Sequence, residues 1–99
     1  MSTERLRRYK ELLVRVDEVL HYVWDPIGVA GAPGARDEYG SYAPKVVGLL
    51  RGGASTAELV AHLEQLATEQ MGVSPDRART RAAADALVGW RAALEHERP

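Results

Sequence analysis

A stripe of apolar residues runs along the first part of the chain and predicts its first helix. Its members are spaced alternately by three and four positions, which keeps them on one face of an α-helix; they are Leu6, Tyr9, Leu13, Val16, Leu20 and Val23, widened by Leu12, Val19 and Trp24. We predict a helix over residues 4–24, capped by Thr3 and ended by Pro26, because proline disfavours helical geometry at the residue before it. The stripe is short for a coiled coil, so we interpret it as the core-facing side of a bundle helix.

The second helix is predicted over residues 41–51, between residues that start and end helices. Pro44 fits its first turn, where a missing N–H is no loss, and the glycine pair after the helix ends it. Its buried face would be Ala43, Val46, Val47 and Leu50. An earlier start near Asp37 is the alternative, which Gly40 and Pro44 both weaken.

A capping box marks the start of the third helix. Ser55 and Glu58 have the spacing at which each side chain satisfies the other residue's exposed amide. We predict a helix over residues 56–71 with Gly72 as its C-terminal stop. One side of it is apolar and consists of Leu59, Val60, Leu63, Leu66, Ala67 and Met71.

The segment Ser74-Pro75-Asp76 repeats the start signals before a fourth helix. It offers a serine cap, a proline at the first position and an acid in the first turn. We predict a helix over residues 75–95 with an alanine-rich middle that permits close helix–helix approach. Its core side would be Ala83, Leu87, Trp90 and Leu94.

These four elements predict the fold class, since the chain contains no strand-type alternation and no internal repeat. We expect an all-α fold, a single domain over residues 1–99 that resembles an antiparallel four-helix bundle. Its unusual feature would be the long loop between helices 1 and 2, because long connections in compact domains are often functional.

Composition excludes several classes of function. The chain is 45% apolar and 27% charged with a net charge of −1, which is typical of a globular protein and gives no global attraction to nucleic acid or anionic membranes. It contains no cysteine, and so no disulfide, thiolate metal site or cysteine nucleophile. We find no phosphate-binding glycine loop, no nucleophile elbow and no zinc-protease motif. We therefore predict a protein that is not an enzyme and uses no cofactor.

The expected location is the cytoplasm. The segment from Met1 to Arg5 leads into a charged helix instead of the apolar core of a signal peptide. No run approaches the roughly 20 apolar residues of a membrane span. We therefore expect no membrane association.

The loop between helices 1 and 2 is the predicted functional surface. Acids and aromatic rings cluster around its Gly/Ala/Pro run: Trp24, Asp25, Asp37, Glu38, Tyr39 and Tyr42. Carboxylates beside tyrosines can receive a basic protein surface, while Gly31 to Gly34 would let the loop adapt. The structural alternative is that Trp24 and the tyrosines fill the top of the core and Asp37 caps helix 2.

Asp17, His21 and Asp25 recur every four residues and so share one face of helix 1. Such a row has the spacing of metal ligands, but it offers at most one nitrogen and two monodentate oxygens. The other histidines, His62 and His96, lie on other elements. We therefore predict a solvated polar face and no metal.

Two local basic clusters supply the alternative function, a small nucleic-acid-associated regulator. They are Arg5, Arg7, Arg8 and Lys10 on helix 1, and Arg77, Arg79 and Arg81 on helix 4. Phosphate contacts supply most non-specific nucleic-acid affinity. No aromatic residue interleaves the second cluster and acids stand nearby to pair with it, which makes nucleic acid the less favoured partner.

The loop motif also resembles a known family. A helix-ending Trp24-Asp25-Pro26-Ile27-Gly28, a linker, Asp37-Glu38-Tyr39, Tyr42 and an aliphatic helix together resemble the YugE-like bacterial family of small all-helical proteins of unknown function. Similar sequences occur among candidate immunity proteins beside secreted bacterial toxins. This chain departs from the pattern by its longer linker and by Gly40.

The resemblance implies an all-helical protein and supplies no catalytic residues. It favours a protein-interaction module of the immunity type, whose partner is another protein such as a toxin or a component of a secretion system. A homo-oligomer, with helix 1 packed against its copy, is a further possibility.

Overall fold

Four helices account for most of the chain. The structure is a computed structural model and describes residues 3–32 and 34–95. Helix α1 spans Thr3–Val19 and continues as one π-helical turn, Leu20–Trp24. A 3₁₀ turn over Gly40–Tyr42 leads into α2 at Ala43–Arg51. Helix α3 spans Thr56–Gln65 with a second π-helical turn at Leu66–Gln70, and α4 spans Arg77–Glu95.

This architecture confirms the predicted all-α class and the approximate positions of all four helices. Among the described residues there is no β-strand. Helix α1 ends before Pro26, and Gly53 and Gly72 take the positive φ values that follow α2 and α3. The sequence did not reveal that α1 and α3 each close with a wider π turn, since apolar spacing is compatible with either geometry there.

The start of α3 follows the prediction and the start of α4 does not. The Glu58 N–H donates to Ser55 Oγ at 3.1 Å and the Ser55 N–H donates to Glu58 Oε1 at 2.9 Å, which completes the capping box. In α4 the cap is Asp76 instead of Ser74, because Asp76 Oδ1 accepts from the Arg79 N–H at 3.0 Å. The helix therefore starts two residues later than predicted, at Arg77.

One hydrophobic core joins the four helices and the loop. Ala83 and Ala84 of α4 are fully buried, in agreement with the close approach expected from its alanines. Helix α4 packs against α1, α2 and α3, and α1 also packs against α2. The loop contributes Tyr39 and the α2–α3 connection contributes Ala54.

Two contacts give the relative direction of α1 and α4. The Arg15 guanidinium carbon lies 5.4 Å from the centre of the Trp90 ring, and Arg79 Nε donates to the Val23 carbonyl at 3.2 Å. Residue numbers rise along α1 as they fall along α4, so these two helices are antiparallel.

Two residues predicted to face the core are exposed instead. Leu6 retains 41% of its accessible surface, and the first buried residue of α1 is Leu12. Trp90 is 37% exposed because it lies at the edge of the α1–α4 contact, under Arg15. None of the helices within the described part of the chain is long and apolar enough to cross a membrane.

Candidate functional site

The predicted loop is fastened to the end of α1 by a single buried carboxylate. Asp25 Oδ1 accepts from the Val29 N–H at 2.7 Å, and its Oδ2 accepts from the Ala30 N–H at 3.0 Å. Oδ1 also accepts from the Tyr39 hydroxyl at 2.8 Å. Asp25 is only 6% exposed, so it stabilises the two ends of the loop from inside.

Tyr39 continues this network and joins it to the core. Its hydroxyl accepts from the Ile27 N–H at 3.2 Å while donating to Asp25, so that both functions of the oxygen are used. The Tyr39 ring lies 5.6 Å from the Trp24 ring, and both side chains are about 1% exposed. We call Trp24, Asp25 and Tyr39 the loop lock.

Backbone geometry at Asp25 allows the lock to form. The π turn ends with the Asp25 N–H donating to the Leu20 carbonyl at 3.0 Å, and Asp25 then adopts φ 35° and ψ 60°. It is the one residue besides glycine with a positive φ in the described ranges. Aspartate tolerates this left-handed region better than most residues. The reversal turns the chain so that the next backbone amides point back at the carboxylate.

The pKa values of the lock reflect its burial and its hydrogen bonds. Burial alone would raise the pKa of Asp25, but the bonds from Tyr39, Val29 and Ala30 and the charge of Arg79 together lower it below its ordinary value. Burial raises the pKa of Tyr39 well above its ordinary value, and the bond to Asp25 and nearby negative charge add to this. Asp25 is therefore ionised and Tyr39 neutral at neutral pH.

Acid should weaken the fold in part through Asp25. Because its pKa is lower in the folded chain than the reference of 3.8, its contribution to stability is complete above that reference. It is lost as the pH falls through the folded value. We expect the free energy of unfolding of Asp25→Asn to change less than that of the wild type between about pH 5 and pH 2, measured by urea denaturation.

The matched control is Asp85→Asn, which removes an exposed carboxylate of α4. It should keep the pH dependence of the wild type. If the free energy of unfolding changed equally with pH in the wild type and in Asp25→Asn, the pKa of Asp25 would be the same in the folded and unfolded chains, which would contradict the prediction.

These positions correct part of the predicted contact surface. Trp24, Asp25 and Tyr39 were expected to meet a partner, but all three are buried, and Asp25 and Tyr39 are hydrogen-bonded to each other. Trp24 and Tyr39 fill the core instead, as the structural alternative predicted. Asp37 and Glu38 are exposed and Tyr42 is half-buried. No side chain caps the 3₁₀ turn that leads into α2, so Asp37 is not its cap.

The row Asp17, His21 and Asp25 was predicted to be a solvated polar face, and this is wrong. Each member directly follows a core residue of α1, and the returning loop covers the row. Asp17 Oδ2 accepts from Arg36 Nη1 at 2.9 Å, and His21 is only 3% exposed. Within residues 3–32 and 34–95, no group of three or more acidic or histidine side chains is arranged to hold a metal ion. His96 lies outside the described residues.

The glycine-rich part of the loop is a succession of tight turns. The N–H groups of Ala32, Ala35 and Glu38 each donate to the carbonyl three residues earlier, at 2.9, 3.3 and 3.2 Å. The Arg36 guanidinium carbon also lies 5.3 Å from the centre of the Tyr22 ring. The expectation that Gly31 to Gly34 let the loop adapt stays a prediction; Pro33 lies outside the described residues.

A groove of about 310 Å³ opens between α1 and the start of α2, beside the exposed acids of the loop. Apolar walls come from Leu13, Val14, Ala43 and Pro44, and Asp17, Asp37 and Gly40 complete the lining. Asp17 Oδ1 is buried and has no hydrogen-bond donor among the described residues. The groove was not predicted, because it depends on how the loop returns over α1.

The two predicted basic clusters do not form one surface. Since α1 and α4 are antiparallel, the α1 cluster lies near the end of α4 and the Arg77–Arg81 cluster lies near the end of α1. A helix rises about 1.5 Å per residue, so much of the length of α4 separates them. Arg79 is bonded to the Val23 carbonyl and Arg81 pairs with Asp85 at 3.2 Å.

Comparison with known proteins adds no relative to this description. No family model matches the chain, and no significant match occurs among the curated proteins or the solved structures.

Proposed function

We propose that this chain is a non-enzymatic protein-interaction module that binds a basic and apolar segment of a partner protein. The observation that carries the proposal is the groove between α1 and α2, whose walls are apolar and whose rim is acidic. The loop lock supports this surface indirectly, since it fixes the chain on which Asp37 and Glu38 are exposed.

The apolar walls favour one or two large aliphatic side chains in the groove. Val14 of α1 is 48% exposed, so covering it would remove apolar surface from water. Pro44 forms the opposite wall and is also exposed. An occupant without apolar side chains would leave the apolar walls of the groove exposed to water.

The rim favours positive charge on the occupant. Asp17 and Asp37 line the groove, and the exposed Glu38 follows Asp37 in the chain. Arg36 is the nearby positive charge, and it already pairs with Asp17. Asp37 is an exposed acid of the groove lining, and a lysine or arginine of the occupant could pair with it. Charge complementarity of this kind mainly sets specificity and association rate.

Selection from a random peptide library displayed on phage tests the proposal. We expect enriched peptides with aliphatic residues flanked by lysine or arginine. Affinity for a selected peptide, measured by calorimetry, should fall about tenfold or more in the double variant Asp37→Lys/Glu38→Lys, because two attractive charges become repulsive. Asp85→Lys reverses an exposed charge on α4 and should leave the affinity unchanged.

A second variant tests the groove without changing charge. A Cβ on Gly40 would meet only Asp17 Oδ1, at 3.9 Å, which is an ordinary contact, so the backbone should accept a side chain. Gly40→Leu should fill the groove and exclude the peptide while the circular dichroism spectrum stays helical. Enrichment of acidic peptides, or full affinity in both groove variants, would contradict the proposal.

The more specific form of the proposal is an immunity-type protein that neutralises a toxin in the cytoplasm. It rests on the likeness of the Trp24 to Tyr42 segment to candidate immunity proteins, and the acidic rim would suit a basic toxin surface. This form predicts a toxin gene beside the gene for this chain, and loss of protection in Asp37→Lys/Glu38→Lys. The nucleic-acid alternative has less support, because its two arginine clusters lie apart.

A further inference from the structure

A second cavity, of about 220 Å³, lies where the start of α1 meets the ends of α2 and α4. Four arginines from three helices line it, namely Arg5, Arg8, Arg51 and Arg91. Glu95 is the one carboxylate in the lining. A chain with a net charge of −1 therefore concentrates formal positive charge around one small cavity.

Two of these guanidinium groups, those of Arg51 and Arg91, are positioned by contacts that leave N–H donors unused, and Arg8 is held only weakly. Arg91 donates to the Leu50 and Ala54 carbonyls at 3.1 and 2.7 Å, both through Nη1. The Arg51 guanidinium carbon lies 5.2 Å from the centre of the Tyr9 ring, and the Arg51 side chain donates no hydrogen bond to the described residues. Arg8 Nε lies 4.0 Å from Glu4 Oε1, a weak ion pair at the surface.

Such an arrangement matches the chemistry of a phosphate group. Arginine carries five N–H donors in a planar fork, and this fork binds phosphate oxygens in pairs. Guanidinium groups that already have fixed positions lose less side-chain freedom when a ligand arrives. Mutual repulsion of the arginines would also be relieved by a doubly charged anion.

We propose that this cavity, the arginine pocket, binds a small organic phosphate. The phosphate would lie between Arg8, Arg51 and Arg91, and the organic part would rest on the apolar wall. That wall consists of Leu12 and Leu94, which are about 5–6% exposed, and of the half-buried Tyr9 ring. The volume suits a phosphomonoester with a small organic group.

Titration of the whole chain with inorganic phosphate and with phenyl phosphate, followed by nitrogen–proton NMR, tests the assignment. We expect saturable shifts at the arginine Nε groups and at the amides around Arg8, Arg51 and Leu94. Phenyl phosphate should bind more tightly than inorganic phosphate. Arg8→Gln and Arg51→Gln should each weaken phenyl phosphate binding about tenfold, the loss typical of one charge-assisted hydrogen bond.

The matched control is Arg81→Gln, which removes an exposed arginine near the other end of α4 and should leave binding unchanged. Arg8 and Arg51 are chosen because neither donates a hydrogen bond to a buried carbonyl, and helical circular dichroism of both variants confirms folding. Linear shifts without saturation, equal binding of both phosphates, or unchanged binding in Arg8→Gln/Arg51→Gln would overturn the proposal. Tighter, Arg51-dependent binding of a thymidine oligonucleotide would overturn it in favour of a nucleic-acid backbone site.

The arginine pocket and the peptide groove have no lining residue in common. Asp37→Lys/Glu38→Lys should therefore bind phenyl phosphate like the wild type. Failure of one proposal would leave the other unaffected.

Discussion

Replacing Asp25 with alanine is expected to lower the free energy of unfolding by about 4 kcal/mol at neutral pH. The substitution removes the acceptor of three hydrogen bonds and leaves the N–H groups of Val29 and Ala30 and the Tyr39 hydroxyl without their partner. It also places alanine at a positive φ, which costs about 1–2 kcal/mol. Urea denaturation followed by circular dichroism measures the loss, which is a large fraction of the stability of a small domain.

Two further substitutions separate these causes. Asp25→Gly accepts the backbone geometry, so it should be less destabilising than alanine by about 1 kcal/mol. Asp25→Asn keeps one acceptor oxygen and tolerates the same backbone region, so its loss should be about 2 kcal/mol. Equal stability of the alanine variant and the wild type would mean that the loop is held by other contacts.

Replacing Trp24 with alanine is expected to cost about 3–5 kcal/mol. Trp24 is the largest fully buried side chain. It is the last residue of the π turn that follows α1, and its ring packs against the Tyr39 ring, so its removal leaves a cavity in the core. Denaturant titration gives the stability change.

Trp90→Ala is the control for Trp24→Ala. Its ring is 37% exposed and contacts Arg15 at the surface, so its loss should cost about 1 kcal/mol. Trp24→Phe keeps an aromatic ring in the core and should cost about 1–2 kcal/mol. A small effect of Trp24→Ala, close to that of Trp90→Ala, would contradict the position of Trp24 in the core.

The helices could be predicted because their signals are local. The three–four spacing of apolar residues in α1, the capping box of Ser55 and Glu58, and the glycines after α2 and α3 each act within a few positions. Ser74 and Asp76 offered two caps two residues apart, and local rules did not decide between them. In the structure the Arg79 N–H donates to Asp76, which makes Asp76 the cap of α4.

The candidate site was harder to predict from the sequence because its contacts join residues that are far apart along the chain. Tyr39 is 14 positions from Asp25, and Arg91 is 41 positions from Leu50. One signal was present in the sequence: Asp17, His21 and Asp25 each follow a residue of the core row Val16, Leu20 and Trp24. A polar row directly beside a core row, followed by a long loop, favours a covered row over a solvated one. The arginine pocket had no local signal, since its four arginines come from three helices.

The wider turn at Leu20–Trp24 has a consequence for the comparison of related sequences. The π turn contains about one residue more than an α turn, so removing one residue there would convert it into an α turn. Relatives without that residue would keep the helix, but their tryptophan and aspartate would both project about 100° away from the positions that they have in this chain. A gap of one position just before Trp24 would therefore distinguish chains that fasten this loop from chains that leave it unattached.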